Sequence, residues 1–259
     1  MELVIGGARM AGVERILVPG WDVPSSVAAL ELVDRFRWLD AAVGVHPHDA
    51  ASVDDRAWQD LARLAVDDRV VAIGETGLDF DRMFSPPDAQ LANLRRNLEL
   101  AVVTGKPAIL HCRSAAGRHD AQDALLAELH EAGFGTPAVS AAFGDRPPAV
   151  IHSYSGPVDF ATAALQLRLA ISISGLAFRP GEDATAEVVR LVPADRLLVE
   201  TDSPFLSPPG APRKRNEPEW VRVTAGWVAT QQGQDIRALG EQLVATYDAT
   251  FPRPGAHVG

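Results

Sequence analysis

Hydrophobic positions in this chain follow two alternating rhythms. Short apolar or β-branched runs occupy residues 15–19, 39–46, 70–75, 107–112, 149–153, 168–174 and 196–202. Between them, residues 25–37, 54–66, 87–104, 120–132, 158–166 and 183–191 carry apolar side chains at three- and four-residue steps, as amphipathic helices do. Within 87–104, Leu91, Leu94, Leu98, Ala101 and Val102 share one face, and Pro86 and Pro87 stand where a helix start tolerates proline. Strict alternation of strand and helix predicts parallel strands covered by helices.

Seven strand runs are counted, whereas a closed barrel of this kind needs eight. Residues 7–12 read as a helix leading into the first run; a second reading makes residues 1–5 a short strand ended by Gly6 and Gly7. The expected fold is therefore α/β: a TIM-type (β/α)8 barrel with its first strand lacking or altered, forming one domain over residues 1–259. A doubly wound open sheet lacks support, because no Gly-rich phosphate loop follows the first run. Residues 133–148, rich in Gly, Pro, Ala and Ser, predict a long surface loop. Residues 217–232 and 235–251 predict two closing helices, and residues 252–259 a frayed tail.

Composition narrows the picture. A hydrophobic share of 47% excludes a disordered or fibrous chain. The single cysteine, Cys112, cannot form an intrachain disulfide and favours a reducing, cytoplasmic location. The absence of an 18-residue apolar run argues against a membrane span, and the opening residues carry no basic segment that would mark a signal peptide. The formal net charge of −10 gives no general attraction for polyphosphate. A nucleic acid held by metals and a few local arginines stays compatible with that charge.

Four runs end in a residue able to bind a metal: Glu75, His111, His152 and Asp202. The carboxyl ends of parallel barrel strands form the functional face. By strand alternation, Ile73 pairs with Glu75, Ile109 with His111 and Val150 with His152, the lower residue filling the barrel and the upper one facing its mouth. Any one of these alone has an ordinary explanation as a hydrogen-bonded core residue; four at matching positions point to a shared site. Imidazole with carboxylate suits zinc, manganese or a similar divalent ion better than calcium. His46 and His48, flanking Pro47, could chelate a metal or touch substrate. Arg113 suits either a phosphate or carboxylate of a substrate, or a surface salt bridge. Cys112 should point away from the mouth if His111 points in, and Arg213, Lys214 and Arg215 read as a solvated loop. His119, His130 and His257 have no assigned chemistry.

These residues sit in motifs. Gly74-Glu75-Thr76-Gly77-Leu78-Asp79-Phe80, Leu110-His111-Cys112-Arg113, Ile151-His152-Ser153-Tyr154-Ser155-Gly156 and Glu200-Thr201-Asp202-Ser203-Pro204-Phe205-Leu206, with Gly44-Val45-His46-Pro47-His48, resemble the TatD family of metal-dependent hydrolases over residues 11–251. The resemblance implies an amidohydrolase-like (β/α)8 barrel, usually with two divalent metals, and in many members deoxyribonuclease activity at the 3′ end. It implies that Glu75 bridges two metals, that His111 and His152 hold one, and that Asp202 binds the other and orients or deprotonates the attacking water. Catalysis then falls to Asp202 and Glu75, with His46 and Arg113 as substrate-binding residues.

One departure concerns the His-x-His of the family's first strand, since no histidine precedes His46. The cofactor expected is a divalent ion (Zn, Mn or Mg) with one complete site and a second possible. Residues 11–17 resemble the family's passage from first helix to second strand, which favours a late start over natural variation. The expected function is hydrolysis of DNA phosphodiesters, or of another phosphodiester, by a metal-activated water, with no membrane partner. The alternatives are an acyl or amide ester hydrolase, and a catalytically impaired metal-binding remnant.

Overall fold

Seven parallel strands form one curled sheet in strict chain order: β1 (Ile16–Pro19), β2 (Leu39–Val43), β3 (Val70–Asp79), β4 (Ala108–Arg113), β5 (Ala149–Ile151), β6 (Ala170–Ile173) and β7 (Leu197–Val199). The computed structural model describes residues 1–212 and 215–253. Within them, every neighbouring pair of strands is parallel, and β1 and β7 are the two sheet edges. This is the TIM-like architecture expected, with seven strands rather than eight. Arg213, Lys214, His257 and residues 254–259 of the expected tail lie outside the described residues.

Helices connect the strands: α1 (Glu2–Met10), α2 (Val23–Arg35), α3 (Asp55–Ala65), α4 (Pro87–Thr104), α5 (Asp120–Glu131), α6 (Pro137–Phe143), α7 (Val158–Gln166), α8 (Thr185–Leu191), α9 (Val221–Gln232) and α10 (Ile236–Thr250). Their boundaries have local causes. Asp22 and Ser25 form a reciprocal capping box at the start of α2. Asp235 accepts from the amides of Arg237 and Ala238 to cap α10. Gly105 ends α4 in the left-handed region at φ 63°, where a side chain would be strained.

Three expectations need correction. The second reading of residues 1–5 as a strand fails: Glu2–Met10 form α1, in line with the helical reading before the first strand, and α1 buries Ile5 and Ala8. The segment 133–148 is not a continuous loop. Pro137 opens α6, and Val139 and Phe143, four residues apart, bury one helical face. Finally, Ile73 does not share the barrel interior with Glu75.

The interior is lined by Ala42, Val71, Ala72, Ile109, Val150, Ala170 and Leu198, whereas Ile73 packs in the larger cluster beneath the helices. The β3–β4 register explains this. Ile73 faces Ala108 but Thr76 faces Leu110, so β3 carries one extra residue there. Such a bulge breaks two-residue alternation and re-aims the next side chain. Ile109 and Val150 do line the interior below His111 and His152, as alternation requires. Cys112 lies in the outer cluster, away from the mouth, and burial pushes its thiol pKa up.

The far end of the barrel is closed by the last turns of α10. Tyr247 and Phe251 pack on the interior cluster. Buried Asp40 accepts from Arg15, Arg253 and the Tyr247 hydroxyl at 2.7–2.9 Å. No helix among the described residues is long and apolar enough to cross a membrane.

Candidate metal centre and comparison with known proteins

Glu75 is the hub of the site. Its Oε1 lies 3.2 Å from Nε2 of His46, 3.0 Å from Nδ1 of His111 and 2.9 Å from Nε2 of His152. These residues come from four separate places: the segment after β2, the bulged β3, β4, and the residue after β5. Burial opposes ionisation of Glu75, but the imidazoles, His152 foremost, hold its carboxyl well below the usual range. His152 and Asp202 also group with Glu200, each offering an atom within 4.8 Å of the others.

The structure thus gathers Glu75, His111, His152 and His46 in direct contact, with Asp202 beside His152 and Glu200. His152 and Asp202 stand just beyond their strands rather than at strand ends, β5 stopping at Ile151 and β7 at Val199. Asp202 has φ 49°, and Ser153, next to His152, has φ 46°. Left-handed backbone at non-glycine residues is uncommon and concentrates at functional sites. Asn216 holds the Asp202 turn by donating to the carbonyls of Thr201 and Phe205.

Close backbone packing sets the histidines in place. A Cβ on Gly77 (φ 137°) would overlap the His111 backbone, and one on Gly44 would overlap the backbone of Gly74. Bare glycines therefore let β2, β3 and β4 approach at the level of the site.

Two carboxylates missed at the level of single residues complete the arrangement. Glu200 Oε1 lies 2.8 Å from Nδ1 of His152, and its Oε2 accepts from Ser172 at 2.6 Å. Asp79 Oδ2 lies 2.7 Å from Nε2 of His48 and 3.4 Å from Nε2 of His111. Burial opposes the charge on Asp79, yet hydrogen bonds from His111, the Arg82 amide and His48 hold its carboxyl far below the ordinary range. Both were findable: Glu200 is two residues before Asp202, and Asp79 is four after Glu75.

Proton bookkeeping separates the three imidazoles around Glu75. His46 Nδ1 accepts the backbone N–H of His48 at 3.1 Å, so a neutral His46 carries its proton on Nε2, facing Glu75. His152 is arranged the other way: Nδ1 faces the Glu200 carboxylate and needs a proton there. Its Nε2 then meets the Glu75 carboxylate, a contact that needs either a second proton or a cation between the two groups. For His111, Nδ1 faces Glu75 at 3.0 Å and the buried Nε2 faces Asp79 Oδ2 at 3.4 Å. Two imidazole nitrogens turned toward Glu75, each ring backed by a second carboxylate on its other nitrogen, form a donor set that fits a divalent metal ion.

Arg113 is not part of this cluster. Its Nε pairs with Asp81 at 3.2 Å, and the side chain is about a third exposed. His119 and His130 lie at the start of α5 and on it, respectively.

Comparison with known proteins identifies the family. The profile of TatD related DNases matches residues 2–252. The 3′-5′ ssDNA/RNA exonuclease TatD of Erwinia billingiae is 37% identical over 98% of this chain and 93% of its own length. YabD of Bacillus subtilis, an uncharacterized metal-dependent hydrolase, is 35% identical over 88% of this chain and 84% of its own. Among solved structures, the TatD homologue YjjV of Escherichia coli superposes with a TM-score of 0.81 at 26% identity, covering 98% of this chain and 92% of that one. A TatD family hydrolase of Entamoeba histolytica gives 0.82 at 21% identity, covering 97% and 89%, a likeness of fold. With the profile spanning nearly every residue, this chain belongs to the TatD-related DNase family and is a metal-dependent hydrolase.

Proposed function

We propose that this hydrolase cleaves phosphodiester bonds of DNA, working inward from a 3′ end. The observation that carries the proposal is the single Glu75 oxygen ringed by three imidazole nitrogens within 3.2 Å, at the carboxyl ends of the barrel strands. The family profile and relatives named as 3′-5′ ssDNA/RNA exonucleases support it.

Glu75, His111, His152 and Asp202 would hold a divalent ion (zinc, manganese or magnesium), with one complete set of donors on these residues. When bound, such an ion lowers the pKa of water and polarises a phosphoryl oxygen. The chain's own groups do the rest. Asp202 stands at the edge of the cluster and is placed to orient the attacking water and take its proton. His46, with its proton on Nε2, points a donor into the same space and is positioned to hydrogen-bond a substrate oxygen. Glu200 and Asp79 keep His152 and His111 turned toward Glu75. Arg113, tethered to Asp81 at the rim, is within the reach of a flexible side chain to meet a phosphate.

The test is digestion of single-stranded DNA labelled at either end, with Mg2+, Mn2+ or Zn2+ supplied. The expected result is a ladder shortening from the 3′ end, abolished by chelator and by Glu75→Gln. Absence of chelator-sensitive trimming with every ion would overturn the proposal. Turnover of acyl esters in its place would move the chain to the ester-hydrolase reading.

A further inference from the structure

The sequence holds five tryptophans, two tyrosines and nine phenylalanines, and among them only Trp21, Phe84 and Phe205 are exposed. They are 56%, 66% and 71% exposed. Each lies just past the carboxyl end of a strand: Trp21 after β1, Phe84 after β3 and Phe205 after β7. Among the described residues, no exposed aromatic occurs on the outer helices or at the closed end of the barrel. If exposure were a matter of surface statistics, the three would not all fall on one face.

Each is also tied to a residue of the site. The Trp21 carbonyl accepts from the His46 amide at 2.9 Å. The Phe84 ring stands edge-on to the His48 ring with centroids 4.7 Å apart. The Phe205 amide donates to the Asp202 carbonyl at 2.9 Å, and its own carbonyl accepts from Asn216 at 2.7 Å. Trp21 and Phe84 therefore flank the His46–His48 side of the site, and Phe205 the Asp202 side.

We propose that Trp21, Phe84 and Phe205 are stacking platforms for unpaired nucleobases, so that the strand is gripped by its bases on both sides of the site. The proposal rests on the nucleic-acid reading above and adds how the substrate is held. Two physical points carry it. Flat apolar faces left in water at the mouth are covered at a gain when a base stacks on them, and such stacking is indifferent to sequence. The net charge of −10 gives the chain no general attraction for a phosphate backbone, so base contacts add grip that bulk charge does not supply. A base inside a duplex has no free face to offer, so this rim selects single strands or frayed ends.

The experiment is fluorescence anisotropy with the full chain, magnesium, and a labelled oligothymidylate joined by phosphorothioate links, which resist cleavage. A matched strand with abasic residues at its 3′ end retains the charge and lacks the stacking faces. The wild type should bind the normal strand about tenfold or more tightly than the abasic one. Trp21→Ala, Phe84→Ala and Phe205→Ala should each lose affinity for the normal strand while binding the abasic strand as before. Rescue by Trp21→Phe should be partial. Equal binding of both strands by the wild type, or no binding of either, overturns the proposal, as do alanine variants that bind like the wild type. None of these outcomes depends on cleavage, so failure of the rim is distinct from failure of the nuclease reading.

Discussion

The Nδ1 of His152 lies 2.8 Å from Oε1 of Glu200, and that carboxylate is itself anchored by Ser172 at 2.6 Å. The pairing fixes which ring nitrogen bears a proton and turns the other, Nε2, toward Glu75. Replacing Glu200 by glutamine keeps the shape but removes the charge that stabilises this arrangement. Glu200→Gln should therefore weaken divalent-ion binding about 10- to 100-fold, read by calorimetric titration. An unchanged affinity would show that the pair is incidental.

A different result is expected at His46. Because its Nδ1 accepts the His48 amide, its Nε2 serves as a donor rather than a lone pair. His46→Gln should leave ion affinity near the wild-type value while lowering kcat about a hundredfold. Glu75→Gln should abolish ion binding. If the two variants lose the ion equally, the proton assignment on His46 is wrong.

Far from the site, Asp67 is gripped by the Arg69 side chain at 2.6 and 2.9 Å. That hydrogen bonding, against a modest cost of burial, lowers the Asp67 pKa from 3.8 to about 2. A depressed carboxyl pKa contributes stability at pH above the unfolded value, and the contribution is lost as pH falls through the folded one. The pair is partly exposed, so solvent screening reduces the contribution to about 1 kcal/mol. Asp67→Asn should cost that much in urea unfolding at pH 7. The gap between variant and wild type should shrink from about pH 4 downward and close only below about pH 2. A gap independent of pH would contradict the assignment.

Asp40 should be the costliest surface-distant carboxylate to remove. It is 2% exposed and neutralises parts of two guanidinium groups, those of Arg15 and Arg253, while accepting from Tyr247. Asp40→Ala leaves the Arg253 Nε and the Tyr247 hydroxyl without their acceptor and Arg15 with only the exposed Asp248, and should destabilise the fold by about 3 kcal/mol or more. Tyr247→Phe, which loses one hydrogen bond, should cost about 1 kcal/mol. A loss at Asp40 no larger than that at Tyr247 would mean the charges are solvated.

How much of this was legible beforehand depends on the kind of signal. The alternating rhythms of residues 15–202 locate all seven strands, because strand and helix periods differ and each run is apolar. The motifs around Glu75, His111, His152 and Asp202 mark residues that do converge. The failures were local. Residues 137–143 fill a composition typical of loops, and only burial of Val139 and Phe143 makes them a helix. The Ile73–Glu75 pairing failed because an extra residue in β3 leaves no mark in a hydrophobic count. Glu200 and Asp79 were overlooked because their contacts are to other side chains, 48 and 32 positions away for His152 and His111, a separation that no periodicity encodes.

The barrel floor also has a bearing on biosynthesis. Asp40 is made early and Arg253 late, 213 positions apart, and Phe251 seals the interior from below. The contacts that close the floor of the well cannot form until the segment near residue 253 has left the ribosome. Assembly of this protein thus has a final latch that only the end of α10 can throw.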